Sequence, residues 1–160
     1  MSAYVVMGVS GCGKSTVALA LAEKTGGIYL DADDFHPPAN KQKMAAGIPL
    51  TDEDRWGWLD ALNRELRTYR ATRVFLACSA LKEVYRERLR AGMPDLVFIY
   101  LKGSRAVIAQ RLGVRQGHFM PSTLLDSQFA TLEEPADAVV IDIDQPPEAV
   151  VAAAARAIGA

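Results

Sequence analysis

The chain has 160 residues, 50% of them hydrophobic and 23% charged, with a formal net charge of -1. That size and composition suit one globular domain, residues 1–160, with a real hydrophobic core, and exclude a disordered or low-complexity chain. The near-neutral balance supplies no field of one sign, so neither nucleic acid nor an anionic membrane is an expected partner. No apolar run approaches the ~20 residues that span a bilayer. The opening MSAYVVMG has no basic segment ahead of its apolar run and no cleavage-site pattern, which points away from a secretory signal. Cys12 and Cys78 are the only cysteines. They make no disulfide framework or metal cluster, and the expected setting is a reducing cytoplasm.

Apolar strand-like runs alternate with amphipathic stretches along the chain. AYVVMG (3–8) reads as a buried strand ending at glycine, and KSTVALALAEKTG, from Lys14, as a helix with a terminal glycine. GIYLDAD (27–33) is a second strand running into acidic residues. ANKQKMAAG is a short helix stopped by Gly47. Thr51-Asp52-Glu53-Asp54 offers N-cap candidates for the long helix RWGWLDALNRELRTYRA. RVFLACSA (73–80) is a strand and LKEVYRERLRAG (81–92) a helix; DLVFIYLKG (95–103) is a strand and SRAVIAQRL (104–112) a helix. VRQGHFMP (114–121), with its glycine and proline, reads as a mobile loop, and a lid is expected at about 113–121. STLLDSQFATL is a helix, AVVIDID (138–144) the last strand, and PPEAVVAAAARAIG the last helix, opened by proline. Five strands with intervening helices predict an α/β fold: a mostly parallel five-stranded sheet with helices on both faces.

Residues 8–15, GVSGCGKS, satisfy G-x-x-x-x-G-K-[ST] between a strand and a helix, the setting in which that pattern cradles nucleotide phosphates. Gly8, Gly11 and Gly13 let the backbone turn its N–H groups toward one anion, and the helix N-terminus adds partial positive charge. Lys14 is placed to reach the β- and γ-phosphates of ATP and the Ser15 hydroxyl to ligate Mg²⁺. Cys12 either fills a permissive position or, with its pKa lowered by the anion site, is a redox-sensitive thiol.

Many phosphate-loop ATPases carry a carboxylate at the end of a later strand to hold the metal and activate water. Here the candidate strand ends in Cys78-Ser79. The missing carboxylate favours transfer to an organic hydroxyl. DADD (31–34) supplies carboxylates instead: on an extended strand end Asp31 and Asp33 point to the same side, one to support Mg²⁺ and the other to contact the acceptor hydroxyl. Arg111 and Arg115, flanking Gly113, are candidates to neutralise charge on the transferring phosphoryl group as the loop closes.

MGVSGCGKST, LDADDFHPPANKQKMAAGIPLTDEDRWGWL, CSALKEVYRERLR, FIYLKG, RQGHF and VIDIDQP together resemble the small phosphate-loop gluconokinases, in order, from about residue 4 to residue 150. The resemblance implies a fold like the nucleoside monophosphate and shikimate kinases. It also implies ATP- and Mg²⁺-dependent phosphorylation of D-gluconate to 6-phospho-D-gluconate, feeding the pentose phosphate or Entner–Doudoroff routes, and a homodimer. On this reading Gly8, Val9, Ser10, Gly11, Cys12, Gly13, Lys14, Ser15, Thr16, Arg111, Asp144 and Gln145 hold ATP, with the last two near the adenine. Asp33, His36, Lys43, Arg55, Ser79, Lys82 and Arg86 face the acceptor. Arg55 or Arg86 takes its carboxylate. Asp33 orients the 6-hydroxyl, and Asp31 lies nearer the metal with Ser15. Trp56 and Trp58 are expected as packing residues. Gln116 departs from the shared lid pattern, where a basic residue also occurs. The alternatives are a kinase for another hydroxy-acid or for a nucleoside monophosphate, and a nucleotide-binding regulator that transfers nothing.

Overall fold

The structure is a computed structural model that describes residues 2–114 and 122–160. Five strands, β1 (Ala3–Met7), β2 (Ile28–Asp31), β3 (Val74–Ala77), β4 (Val97–Lys102) and β5 (Val139–Asp142), form one parallel sheet in the order β2-β3-β1-β4-β5. β1 is central and every residue in it is buried. Its continuous apolar run reflects a strand covered on both faces.

Alternation along the strands sorts the core into two layers. Tyr4 and Val6 face one side with Phe75, Ala77, Ile99 and Leu101, and pack on Leu21 of α1 (Lys14–Thr25), Ile108 of α5 (Arg105–Val114) and Ala154 of α7 (Pro147–Ala157). Tyr4 and Phe75 stack with ring centroids 4.8 Å apart. Ala3, Val5 and Met7 face the other side, against Leu59, Leu62 and Leu66 of α3 (Asp52–Tyr69) and Leu89 of α4 (Glu83–Leu89). The remaining helices are α2 (Pro38–Ala45) and α6 (Ser122–Thr131). Among the described residues no helix is long and apolar enough to cross a membrane.

Several element ends move from their expected places, each for a local reason. β2 stops at Asp31 rather than 33 because Asp31 Oδ1 accepts the Asp33 N–H at 3.0 Å, turning ADDF into a 3-10 turn. The Trp58 indole N–H then donates to the Ala32 carbonyl at 2.7 Å and holds that turn down. α4 begins at Glu83 rather than 81, because Ala80 takes a left-handed φ of 47° and the Leu81 carbonyl accepts the Glu133 N–H. β5 ends at Asp142, whose carboxylate accepts the Asp144 N–H at 2.8 Å. α5 continues to Val114; the rest of the expected loop lies outside the described residues.

α3 starts with a capping box: the Thr51 hydroxyl accepts the Asp54 N–H, and the Asp54 carboxylate accepts the Thr51 N–H. Thr51→Ala removes one half of it and is expected to cost about 1 kcal/mol of stability, read as a lower urea midpoint at unchanged slope. An unmoved midpoint would show that the cap contributes nothing.

Candidate active site

The loop after β1 is shaped by close backbone approach. Gly8 has φ 146°, and a Cβ there would sit 2.9 Å from the Leu101 carbonyl oxygen and 2.7 Å from Cys12 Sγ. Gly11, at φ 86°, lies so close to Leu112 of α5 that a Cβ would come within 2.8 Å of its side chain. Gly13 is the N-cap of α1 and makes no side-chain cap bond. The first-turn N–H groups of Lys14, Ser15 and Thr16 are thus left for an anion. Lys14 is half-buried, and Ser15 and Thr16 are exposed at the mouth.

Three loop N–H groups expected to face phosphate are occupied within the protein. Gly8 donates to the Ser79 carbonyl at 3.3 Å and Cys12 to the Val9 carbonyl at 3.2 Å. Ser10 donates to Gln128 Oε1 at 2.7 Å, and Gln128 Nε2 donates back to Ser10 Oγ at 2.9 Å. These contacts shape the cradle, while the helix start supplies its free donors. The redox reading of Cys12 is overturned: only 1% of it is exposed, and burial raises its pKa despite the nearby Lys14 charge. Cys78, behind β3, is pushed up to about 12 by burial.

On the β2 side, the Tyr29 hydroxyl donates to Asp31 Oδ2 at 3.4 Å and also lies beside Ser15. The two expected metal residues therefore share one neighbour. A hydroxyl and a carboxylate at the phosphate mouth are hard oxygen donors of the kind Mg²⁺ uses alongside substrate phosphates and water. Among the described residues no three His, Cys, Asp or Glu side chains form a metal cage. The residues present fit a metal carried largely by the nucleotide.

The expected geometry of Asp33 needs correction. It does not extend β2 beside Asp31; the 3-10 turn carries it away, with its side chain 88% exposed. Its neighbour is His36, whose Nε2 lies 3.9 Å from Asp33 Oδ1. His36 is buried, stacked on Trp58 at 4.1 Å, and receives Asn40 Nδ2–H at Nδ1 (3.3 Å), which leaves the ring hydrogen on Nε2, toward Asp33. Burial lowers its pKa, so the ring is neutral at neutral pH. Trp58 is a packing residue, as expected, and its particular load is His36.

The acceptor-side cations divide into open and committed groups. Lys43 pairs with Asp54 at 2.7 Å. Arg55 Nη1 donates to the Leu50 carbonyl at 2.9 Å and the Tyr85 hydroxyl at 3.2 Å. Lys82 lies 3.4 Å from Asp52 Oδ1, the atom that accepts the Tyr85 hydroxyl at 2.6 Å. That Tyr85 bond, followed by the Lys82 and Arg55 charges, lowers the Asp52 pKa. Arg55 and Lys82 also flank the Tyr85 ring, at 5.4 and 5.5 Å, and both keep partly exposed side chains.

Arg86 is different, and its expected role as carboxylate ligand does not hold. It is 1% exposed, and it donates to the carbonyls of Ala80 (2.6 Å) and Glu133 (2.7 Å) and pairs with Glu83. A cation so enclosed has no open donor for a substrate; it holds the strained turn at Ala80. Ser79 is half-buried between this turn and Gly8.

At the far edge, Val107, Gln110, Arg111, Asp144 and Gln145 line a cavity of about 310 Å³. Arg111 Nη2 donates to the carbonyls of Ile143 and Gln145. It therefore forms a wall of this cavity, with its guanidinium committed to backbone carbonyls there. Arg115, Gln116 and His118 lie outside the described residues.

Sequence reasoning missed Gln128, Asp52, Tyr85, Tyr29 and Asn40. Asp52 and Asn40 had local readings, as a cap candidate and a helix residue, that hid their long-range partners. Only the S-Q pair before an apolar run marks Gln128 in the sequence, and that pattern carries no chemistry by itself.

A parallel sheet of this order, with a glycine-rich loop after its central strand and free N–H groups at the next helix, defines a phosphate-loop kinase-like protein. A family model described as an AAA domain matches residues 4–135. The thermoresistant gluconokinase of Escherichia coli is 50% identical, the match covering 97% of this chain and 92% of that one. The gluconokinase of Gluconobacter oxydans is 48% identical over 83% of this chain and 76% of its own. The crystal structure of a gluconokinase from Sinorhizobium meliloti superposes with a TM-score of 0.90 at 46% identity, covering 99% of this chain and 91% of that one. The chain belongs to the gluconokinase family.

Two solution outcomes follow from this geometry. With both thiols buried and raised, iodoacetamide at neutral pH is expected to label Cys12 and Cys78 only after unfolding, with or without ATP; rapid nucleotide-sensitive labelling would contradict the burial. The Lys43 bond, then the Thr51 N–H, holds Asp54 down from 3.8 to about 2. A depressed carboxylate contributes stability above its unfolded pKa and loses it as pH falls through the folded value. Stability from this pair is therefore full above about pH 4 and vanishes toward pH 2. Asp54→Asn should flatten that part of the acid-unfolding curve, and an unchanged curve would remove the pair from the balance.

Proposed function

We propose that this chain transfers the γ-phosphoryl group of ATP to the 6-hydroxyl of D-gluconate, giving ADP and 6-phospho-D-gluconate. The observation that carries the reading is a phosphate loop combined with an exposed carboxylate, Asp33, and two half-open cations, Arg55 and Lys82, within a chain of the gluconokinase family. β3 ends without a carboxylate to activate water, which agrees with an organic acceptor.

In this reading the N–H groups at the start of α1 and the Lys14 ammonium hold the triphosphate and balance its charge, the main source of acceleration in phosphoryl transfer. Arg111, Asp144 and Gln145 receive the base. Arg55, with its planar fork, and Lys82 take the gluconate carboxylate, displacing their contacts with Tyr85 and Asp52. Lys43, His36 and Ser79 flank the polyol. Asp33 accepts the hydroxyl proton as the new O–P bond forms and the bond to the ADP oxygen breaks, and the neutral His36 ring orients it. Ser15 and Asp31 would hold Mg²⁺, which would supply charge neutralisation to the triphosphate. Arg115 is assigned to the transferring phosphoryl group from its place beside Gly113 in the sequence alone. The family resemblance supports a homodimer and entry of the product into the pentose phosphate or Entner–Doudoroff routes, and the two free thiols agree with a cytoplasmic setting.

The test is coupled ADP release over D-gluconate, shikimate, related aldonates and AMP. Turnover with D-gluconate is expected; turnover with AMP or shikimate in its absence would overturn the reading. Asp33→Asn should keep ATP affinity and lose roughly 10²–10⁴-fold in kcat. Near-wild-type kcat would assign the proton to another acceptor.

A further inference from the structure

The contact between Gln128 and Ser10 belongs to none of the roles above. Two polar groups of Ser10 end on one side chain: its N–H on Oε1 at 2.7 Å and its hydroxyl oxygen on Nε2 at 2.9 Å. The partners are 118 residues apart, so nothing local imposes the match. A carboxamide carries an acceptor and a donor side by side, and this pair of atoms presents the complementary set. Ser10 is half-buried. An N–H there left without a partner costs about 1–3 kcal/mol, so removing the amide forces the loop to turn Ser10 elsewhere.

Gln128 is itself held from two directions. Leu125, one turn earlier in α6, is 2% exposed in the core layer that contains Val9, Cys12 and Leu112. Just after the helix, the Glu133 N–H donates to the Leu81 carbonyl, its Oε1 accepts the Glu83 N–H, and its carbonyl accepts Arg86 Nη2. The loop therefore has two outside anchors: Ser79, just past β3, at Gly8, and α6 at Ser10. Beyond them the chain must hold Gly11 against Leu112 and present Lys14.

We infer that Gln128 is a positioning residue for the nucleotide phosphates: through Ser10 it fixes the loop in its phosphate-binding shape before nucleotide arrives. The inference rests on the ATP-binding part of the proposed function. It assigns no contact between Gln128 and the substrate. Its signature is a loss confined to the nucleotide, because the residue acts on the loop and not on the acceptor cations.

The experiment is equilibrium titration of the full-length protein with a fluorescent ATP analogue, without D-gluconate, beside steady-state kinetics for both substrates. Gln128→Ala is expected to raise the nucleotide Kd and the ATP KM about tenfold, within the span that a lost buried hydrogen bond commands, and to leave the D-gluconate KM within about twofold. Gln128→Glu keeps the length but brings negative charge toward the triphosphate, so it should bind nucleotide more weakly than the alanine variant. Raised salt should narrow that gap. Ser10→Ala cuts only the hydroxyl arm and should cost roughly two- to threefold. Combined with Gln128→Ala it should add nothing further, since both changes remove one interaction.

Wild-type nucleotide affinity in the alanine variant, additive losses in the double variant, or an equal rise in both KM values would overturn the inference. If Gln128→Ala does not fold, Ser10→Ala and Gln128→Glu decide it by the same readouts. A wild-type protein that binds no nucleotide would instead remove the proposed function.

Discussion

β1 runs through the middle of the sheet with β3 and β4 on its two edges, and the chain leaves it at Gly8 with no room for a side chain. The Gly8 backbone lies against the Leu101 carbonyl of β4 and the sulfur of Cys12, while its N–H reaches Ser79 beyond β3. A loop pinned to both neighbouring strands inherits the rigidity of the sheet. That rigidity allows the first turn of α1 to present its N–H groups with little ordering left to do when an anion arrives. The buried thiol of Cys12 is part of the same packing, which is why it is chemically quiet in a loop that would otherwise activate it.

Around this fixed point, charge is arranged by how much of it is left open. Arg86 is the most enclosed cation described, and the structure spends its donors on two backbone carbonyls, steadying the left-handed turn at Ala80. Arg55 and Lys82 keep part of their surface and share Asp52 and Tyr85 as partners. Partners that can be exchanged for a substrate carboxylate suit a binding site; buried carbonyls that would be left unsatisfied do not. Two arginines of equal formal charge, Arg55 in the first turn of α3 and Arg86 in α4, thus have opposite uses.

Much of this was legible beforehand wherever one short segment contains its own explanation. The glycine and lysine spacing of the loop, the apolar runs of the five strands, and the threonine that opens α3 all act through neighbours a few residues away. Asp33 was misplaced because period-two alternation assumes that the strand continues. The Asp31 carboxylate captures the Asp33 N–H, and Trp58, 26 residues further on, fastens the resulting turn. Arg86 was misread because charge suggests exposure, and only the meeting of Ala80 with Glu133 reveals the cage around it. Gln128 went unnoticed because an amide on a helix looks like any solvated residue until Ser10 is brought to it.

The sequence alone therefore determined the kind of fold, the site of the phosphate cradle and the family, since hydrophobic period, loop stereochemistry and motif order are local properties of the chain. Tertiary structure decided which polar side chains are free for chemistry and which are already committed. That depends on burial and on partners dozens of residues away, and a buried donor or acceptor must be satisfied by whatever the fold happens to bring beside it.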